Sequence, residues 1–93
     1  MAGIEYDTAE SVVKSAIIKE WGDQGPVTNG KALKEVGIVD PPTANGLRER
    51  IVEGVLAENY QIHPGSLNLS PDKKVFEVIQ QVIDNSTLAG GQA

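Results

Sequence analysis

Apolar residues recur every third or fourth position in three stretches of the chain, and each stretch reads as one face of a helix. In the first, Val13, Ile17 and Trp21 stand four apart with Val12 and Ala16 beside them, which predicts a helix over residues 8–21. Asp7 is its expected N-cap, and Glu10 three positions on completes a capping box. Glu10 and Lys14 form a favourable i,i+4 pair on the wet side, and Gly22, Gly25 and Pro26 stop the helix.

A short segment from Thr28 to Val36 follows, with Thr28 as its cap and Ala32, Leu33 and Val36 as an apolar edge. One or two helical turns are expected there, closed by Gly37 in the left-handed position after the last turn. Ile38-Val39-Asp40-Pro41-Pro42 reads as an extended connector, because each proline pushes its predecessor away from helical angles. The second long helix starts between Asp40 and Thr43, both suitable caps, and runs to about Asn59. Leu47, Ile51 and Val55 line it, with Val52 and Leu56 beside them. Arg48 projects inside that apolar arc and Glu58 at its edge, both near helix ends where a long side chain reaches water. Gly46 and Gly54 each weaken the helix by about 1 kcal/mol relative to alanine. Two such residues point either to close packing or to a helix that tolerates movement.

Residues 60–69 read as a loop around Pro64 and Gly65, anchored by Tyr60, Ile62, Leu67 and Leu69. Ser70-Pro71 has the form of a helix start, a capping hydroxyl followed by proline, and Val75, Phe76, Ile79, Val82 and Ile83 continue at helical spacing to Asp84. The organisation expected is a flexible N-terminus over residues 1–7, one helical domain over 8–84 and a small, polar, disordered tail over 85–93. The fold class is all-α: an irregular antiparallel bundle of three long helices plus one short helix.

Composition narrows the chemistry. Ninety-three residues suffice for one domain, and only four are aromatic: Tyr6, Trp21, Tyr60 and Phe76. No cysteine is present, which excludes a disulfide scaffold, a thiolate metal site and a cysteine nucleophile. Eight Lys and Arg against thirteen Asp and Glu give a net charge of −5, a poor match to a phosphate backbone. Neither a secretory leader nor a membrane span is expected, so the localisation inferred is cytoplasmic.

The polar residues nominate no catalytic set. His63 is the only imidazole, where a metal site usually begins with two or more, so it reads as a loop residue. Glu49 and Glu53 share a helix face and read as solvated charge, and Gly22–Pro26 and Asn29-Gly30-Lys31 lack the lysine-serine or lysine-threonine ending of a phosphate loop. Lys31, Lys34, Arg48 and Arg50 are candidates for a local basic patch near the start of the second long helix. No catalytic residue, metal ligand or cofactor site is expected, and the chain does not read as an enzyme.

Three stretches carry a likeness to a known family. Val27-Thr28-Asn29 through Val36-Gly37-Ile38 looks like a segment ending in Leu-Gly-Ile ahead of a second helix. Tyr60-Gln61-Ile62-His63-Pro64 looks like an aromatic-x-x-Ile-Pro exit from that helix, and Val75 through Ile83 like a closing helix. Together with the first helix, the layout resembles the acyl and peptidyl carrier proteins, small acidic four-helix domains. That family carries Asp-Ser-Leu at the start of its second helix, and the serine hydroxyl takes 4′-phosphopantetheine. The nearest counterpart by sequence is Asn45-Gly46-Leu47, and Gly46 has no hydroxyl to esterify. Gly65-Ser66-Leu67 offers another serine, but only 27 residues follow Ser66, too few for the helices and loops that come after the attachment serine, so it reads as a decoy. The resemblance implies a degenerate carrier-like domain without its own arm. It would dock on partner enzymes of an acyl or peptidyl synthesis system through Leu47, Arg48, Arg50 and Glu53. The alternative is a helical regulatory or nucleic-acid-binding protein that uses Arg48 and Arg50.

Overall fold

The computed structural model describes residues 4–22 and 25–89. They are mostly helical. Helix α1 spans Tyr6–Trp21, a 3-10 turn spans Leu33–Val36, and α2 spans Pro41–Ala57. Strand β1 (Tyr60–Gln61), a second 3-10 turn (Pro64–Ser66), α3 (Val75–Asn85) and β2 (Thr87–Leu88) follow. Helix α1 packs against both α2 and α3.

Helix α1 begins earlier than the capping pattern predicts. Glu5 is the N-cap, without a side-chain bond, and Asp7 lies in the first turn, where its charge suits the positive end of the helix. Ile4 is buried in the core and fixes the chain one turn ahead of Asp7, so Ile4–Asp7 are not a flexible lead-in. Residues 1–3 of the expected flexible segment lie outside the described residues. Glu10 forms no capping box. Its carboxylate bonds Lys14 at 3.0 Å and accepts from Asn29 at 3.3 Å.

The connector folds as the local signals suggest, with two differences. The first 3-10 turn is capped by Ala32 rather than Thr28, and Glu35 reaches back to accept from the Ala32 amide at 3.0 Å. Gly37 closes it at φ 88°, a left-handed conformation. Both candidate caps of α2 are used. The Asp40 carboxylate accepts from the Thr43 amide at 3.1 Å, and the Thr43 hydroxyl accepts from the amides of Val39 and Asp40. Pro41 and Pro42 occupy the first helical positions, where an amide would lack a helical partner anyway.

Helix α3 does not start at Ser70-Pro71. The backbone of residues 29–34 pairs with that of 71–76: Leu33 donates to the Lys73 carbonyl, Lys34 to the Pro71 carbonyl, and Val75 and Phe76 to those of Lys31 and Asn29. Those bonds hold residues 71–73 in a turn, and α3 begins at Val75 after Lys74, whose amide donates to Glu77 at 2.8 Å. The third helix is therefore 11 residues long, against 16 and 17 for α1 and α2. The expected disordered tail is also revised. Asn85 ends α3, Ser86 is buried, and Thr87–Leu88 pair antiparallel with Tyr60–Gln61 in the register Leu88 opposite Tyr60. Residues 90–93 lie outside the described residues.

The core is aliphatic. Val13 and Ile17 of α1, Leu47, Ile51 and Val55 of α2, and Val75, Val78, Ile79 and Val82 of α3 are fully buried, closed at one side by Leu33, Val36 and Ile38. Trp21 and Tyr60 pack against it only in part, and Tyr6 and Phe76 are exposed. The glycines of α2 are explained by close packing. A Cβ on Gly54 would lie 2.8 Å from Cγ1 of Val12, and one on Gly46 would lie 2.5 Å from Oε1 of Glu20. Between them Arg50 bonds Glu20 at 3.1 Å, so Gly46, Arg50 and Gly54, four apart, form the side of α2 that meets α1.

Candidate functional site: helix α2 and its surroundings

The residues expected to meet partners divide sharply once α2 is seen in place. Leu47 is fully buried in the apolar line with Ile51 and Val55, so it is a core residue and not a docking contact. Glu49, Arg50 and Glu53 are exposed. Arg50 is drawn toward α1 by Glu20, whereas Arg48 is half-buried on another side of the helix. The Arg48 guanidinium donates to the side-chain oxygen of Asn45 and, at 3.3 Å, to the carbonyl of Leu67. This is how a cation inside the apolar arc is accommodated: its stem is covered and its head reaches polar atoms at the helix edge. The two arginines therefore do not form one basic face. Lys31 and Lys34 are engaged elsewhere, on the Pro26 carbonyl and on Asp72.

The positions compared with the attachment serine sit away from the head of α2. Gly46 is the sixth residue of the helix, in its second turn, beneath the Glu20 carboxylate. Ser66 lies in the 3-10 turn after β1, and its hydroxyl donates to the His63 carbonyl at 2.7 Å. His63 belongs to the same turn: its Nδ1 accepts from the Gly65 amide at 3.0 Å, which assigns the proton of the neutral ring to Nε2. The residue that follows the capping aspartate at the head of α2 is Pro41. Spacing alone misses this, because the capping role of Asp40 is settled by geometry rather than by distance from Gly37.

Electrostatic perturbation is confined to one place. Hydrogen bonds from Lys14 and then Asn29 hold the Glu10 carboxyl below its ordinary value, against a smaller opposing effect of desolvation. Asn29 also donates to the Tyr6 hydroxyl at 3.0 Å, so this cluster ties the start of α1 to the connector. A carboxyl lowered on folding contributes stability above its unfolded value of about 4.5 and loses it as pH falls through the folded value. Glu10→Gln is therefore expected to flatten the acid limb of a melting-temperature profile below about pH 4.5. An unchanged acid limb would show that the cluster does not couple to folding.

Among the described residues, no group of three His, Asp or Glu side chains is placed to hold a metal ion. No described helix is long and apolar enough to cross a membrane. The chain matches no family model, and no curated protein or solved structure is recognisably similar to it.

Proposed function

We propose that the chain is a docking domain of carrier-protein-like layout, which meets partner enzymes of an acyl or peptidyl synthesis system through α2 and carries no phosphopantetheine arm. The observation that supports it is the head of α2. A connector ending in Gly37-Ile38 leads to Asp40, which caps the helix, and the next two residues are Pro41 and Pro42. In the family, Asp-Ser-Leu stands at that point of the second helix. Aligned on the capping aspartate, the attachment serine corresponds to Pro41, which has no hydroxyl, rather than to Gly46. The nearest hydroxyl, that of Thr43, is occupied by the cap. The docking surface retained is the exposed mixed-charge side of α2, with Glu49, Arg50 and Glu53 as its charges.

The nucleic-acid alternative finds no comparable support, because Arg48 and Arg50 are turned to different neighbours. The arm-less half of the reading is tested by incubating the chain with a phosphopantetheinyl transferase and coenzyme A and measuring intact mass. The mass is expected to stay unchanged. A phosphopantetheine adduct on Ser66, or on any other serine, would overturn the assignment to Pro41.

A further inference from the structure

A groove of about 500 Å³ runs along the first turns of α2, walled on its other side by residues 67–71. Its size is in the range of ligand sites. Val39, Ala44, Leu67 and Leu69 supply apolar wall, Arg48 lies along it and Asp40 stands at the helix head. Val39 is 55% exposed, an apolar side chain left uncovered at the rim.

The far wall is an extended segment with one open edge. Leu67 has strand angles, φ −93° and ψ 120°, and its carbonyl accepts from Arg48 on the α2 side. Asn68 turns the other way: its amide donates to Gln81 of α3 at 2.6 Å, and its carbonyl accepts from the same side chain at 2.9 Å. Successive residues of an extended chain direct their peptide groups to opposite sides. Leu69 therefore directs its N–H and C=O back toward α2, and neither has a hydrogen-bond partner among the described residues. Leu69 is only 3% exposed, so these two groups are largely withdrawn from water yet unpaired, an arrangement native backbones rarely leave standing.

The charge of the groove fixes its occupant. Arg48 uses two of its five N–H donors on neutral acceptors and has no carboxylate within ion-pair distance among the described residues. Asp40 lies eight residues earlier in the chain, about 12 Å along the helix axis, so a negative group is favoured at the Arg48 end and opposed at the other. We propose that the groove docks an extended peptide of a partner protein, which adds as a strand to the open edge at Leu69 and sets a carboxylate on Arg48. Backbone pairing supplies affinity and the arginine supplies direction. This goes beyond the carrier-like reading and holds without it, since the groove does not depend on any loading reaction.

The test is amide chemical-shift titration of the 15N-labelled chain with acetyl-Thr-Val-Thr-Val-Glu bearing a free C-terminus. Saturable shifts are expected at Ala44, Arg48 and Leu67–Leu69, with slower hydrogen exchange at the Leu69 amide. The same peptide with glutamine and a C-terminal amide is expected to bind about tenfold more weakly, the size of one charge-assisted contact. A version N-methylated at its central residue should lose the exchange protection. Arg48→Gln should reproduce the loss seen with the uncharged peptide, while the peptide controls leave the protein itself untouched. Equal affinity for charged and uncharged peptides, shifts confined to other surfaces, or no saturable binding at millimolar peptide would each overturn the proposal.

Discussion

Gly37→Ala is expected to lower folding stability by about 3 kcal/mol, and with it the melting temperature by more than about 10 °C for a domain of this size. Two causes add. Gly37 holds φ 88°, where an L side chain costs about 1–2 kcal/mol. A Cβ there would also fall inside contact distance of Cδ1 of Trp21 and 2.8 Å from its Cγ, so the indole must move. Overpacking of that kind costs about 1–3 kcal/mol. The ring cannot swing away freely, since it packs against the core at the C-terminal end of α1. Tryptophan emission should shift with the loss of stability, because Trp21 is the only indole. Gly46→Ala provides the contrast. Its Cβ would meet only the end of the Glu20 side chain, and about 1 kcal/mol of helix propensity is gained, so its stability should stay within about 1 kcal/mol of the parent. If Gly37→Ala proved as mild as Gly46→Ala, the left-handed turn would not be what joins the connector to α1.

Ile51→Ala should cost about 2–5 kcal/mol, a large share of the stability of so small a domain. Ile51 is fully buried in the middle of α2, and the core around it consists of aliphatic side chains whose branched shapes do not close a void easily. Ile51→Val, which removes one methylene, is expected to cost about 0.5–1.5 kcal/mol. Leu56→Ala on the same helix is the control for lost helix-borne apolar surface, because Leu56 is 52% exposed and should change stability by about 0.5 kcal/mol or less. Urea unfolding reads all three, and equal effects for Ile51→Ala and Leu56→Ala would contradict the assignment of the core.

The parts legible in the sequence are those governed by neighbours in the chain. Asp40, Pro41 and Thr43 form a cap from side chains three residues apart, and Gly37 marks a turn because few other residues take its backbone angles. The apolar lines of α1 and α2 likewise give the buried face by periodicity alone. What escaped depends on contacts between distant segments. Ser70-Pro71 carries every local mark of a helix start, yet bonds from Leu33 and Lys34 hold it as a turn. Thr87-Leu88 has nothing in its own composition to announce a strand, and becomes one by meeting Tyr60-Gln61. Leu47 was nominated for docking by its place in a motif comparison, whereas the apolar line it belongs to already marked it as core. The open edge at Leu69 has no sequence signal at all, because it follows from where Gln81 of α3 reaches.

The claim that α2 keeps a carrier's layout but lacks its attachment residue is tested most directly by restoring the motif. The double variant Pro41→Ser/Pro42→Leu gives the head of α2 the sequence Asp-Ser-Leu, with Asp40 still available as cap. Incubated with a phosphopantetheinyl transferase and coenzyme A, the folded variant is expected to gain one phosphopantetheine on the new serine while the parent chain gains none. A variant that keeps the parent's helical circular dichroism and remains unmodified would contradict the carrier-like reading.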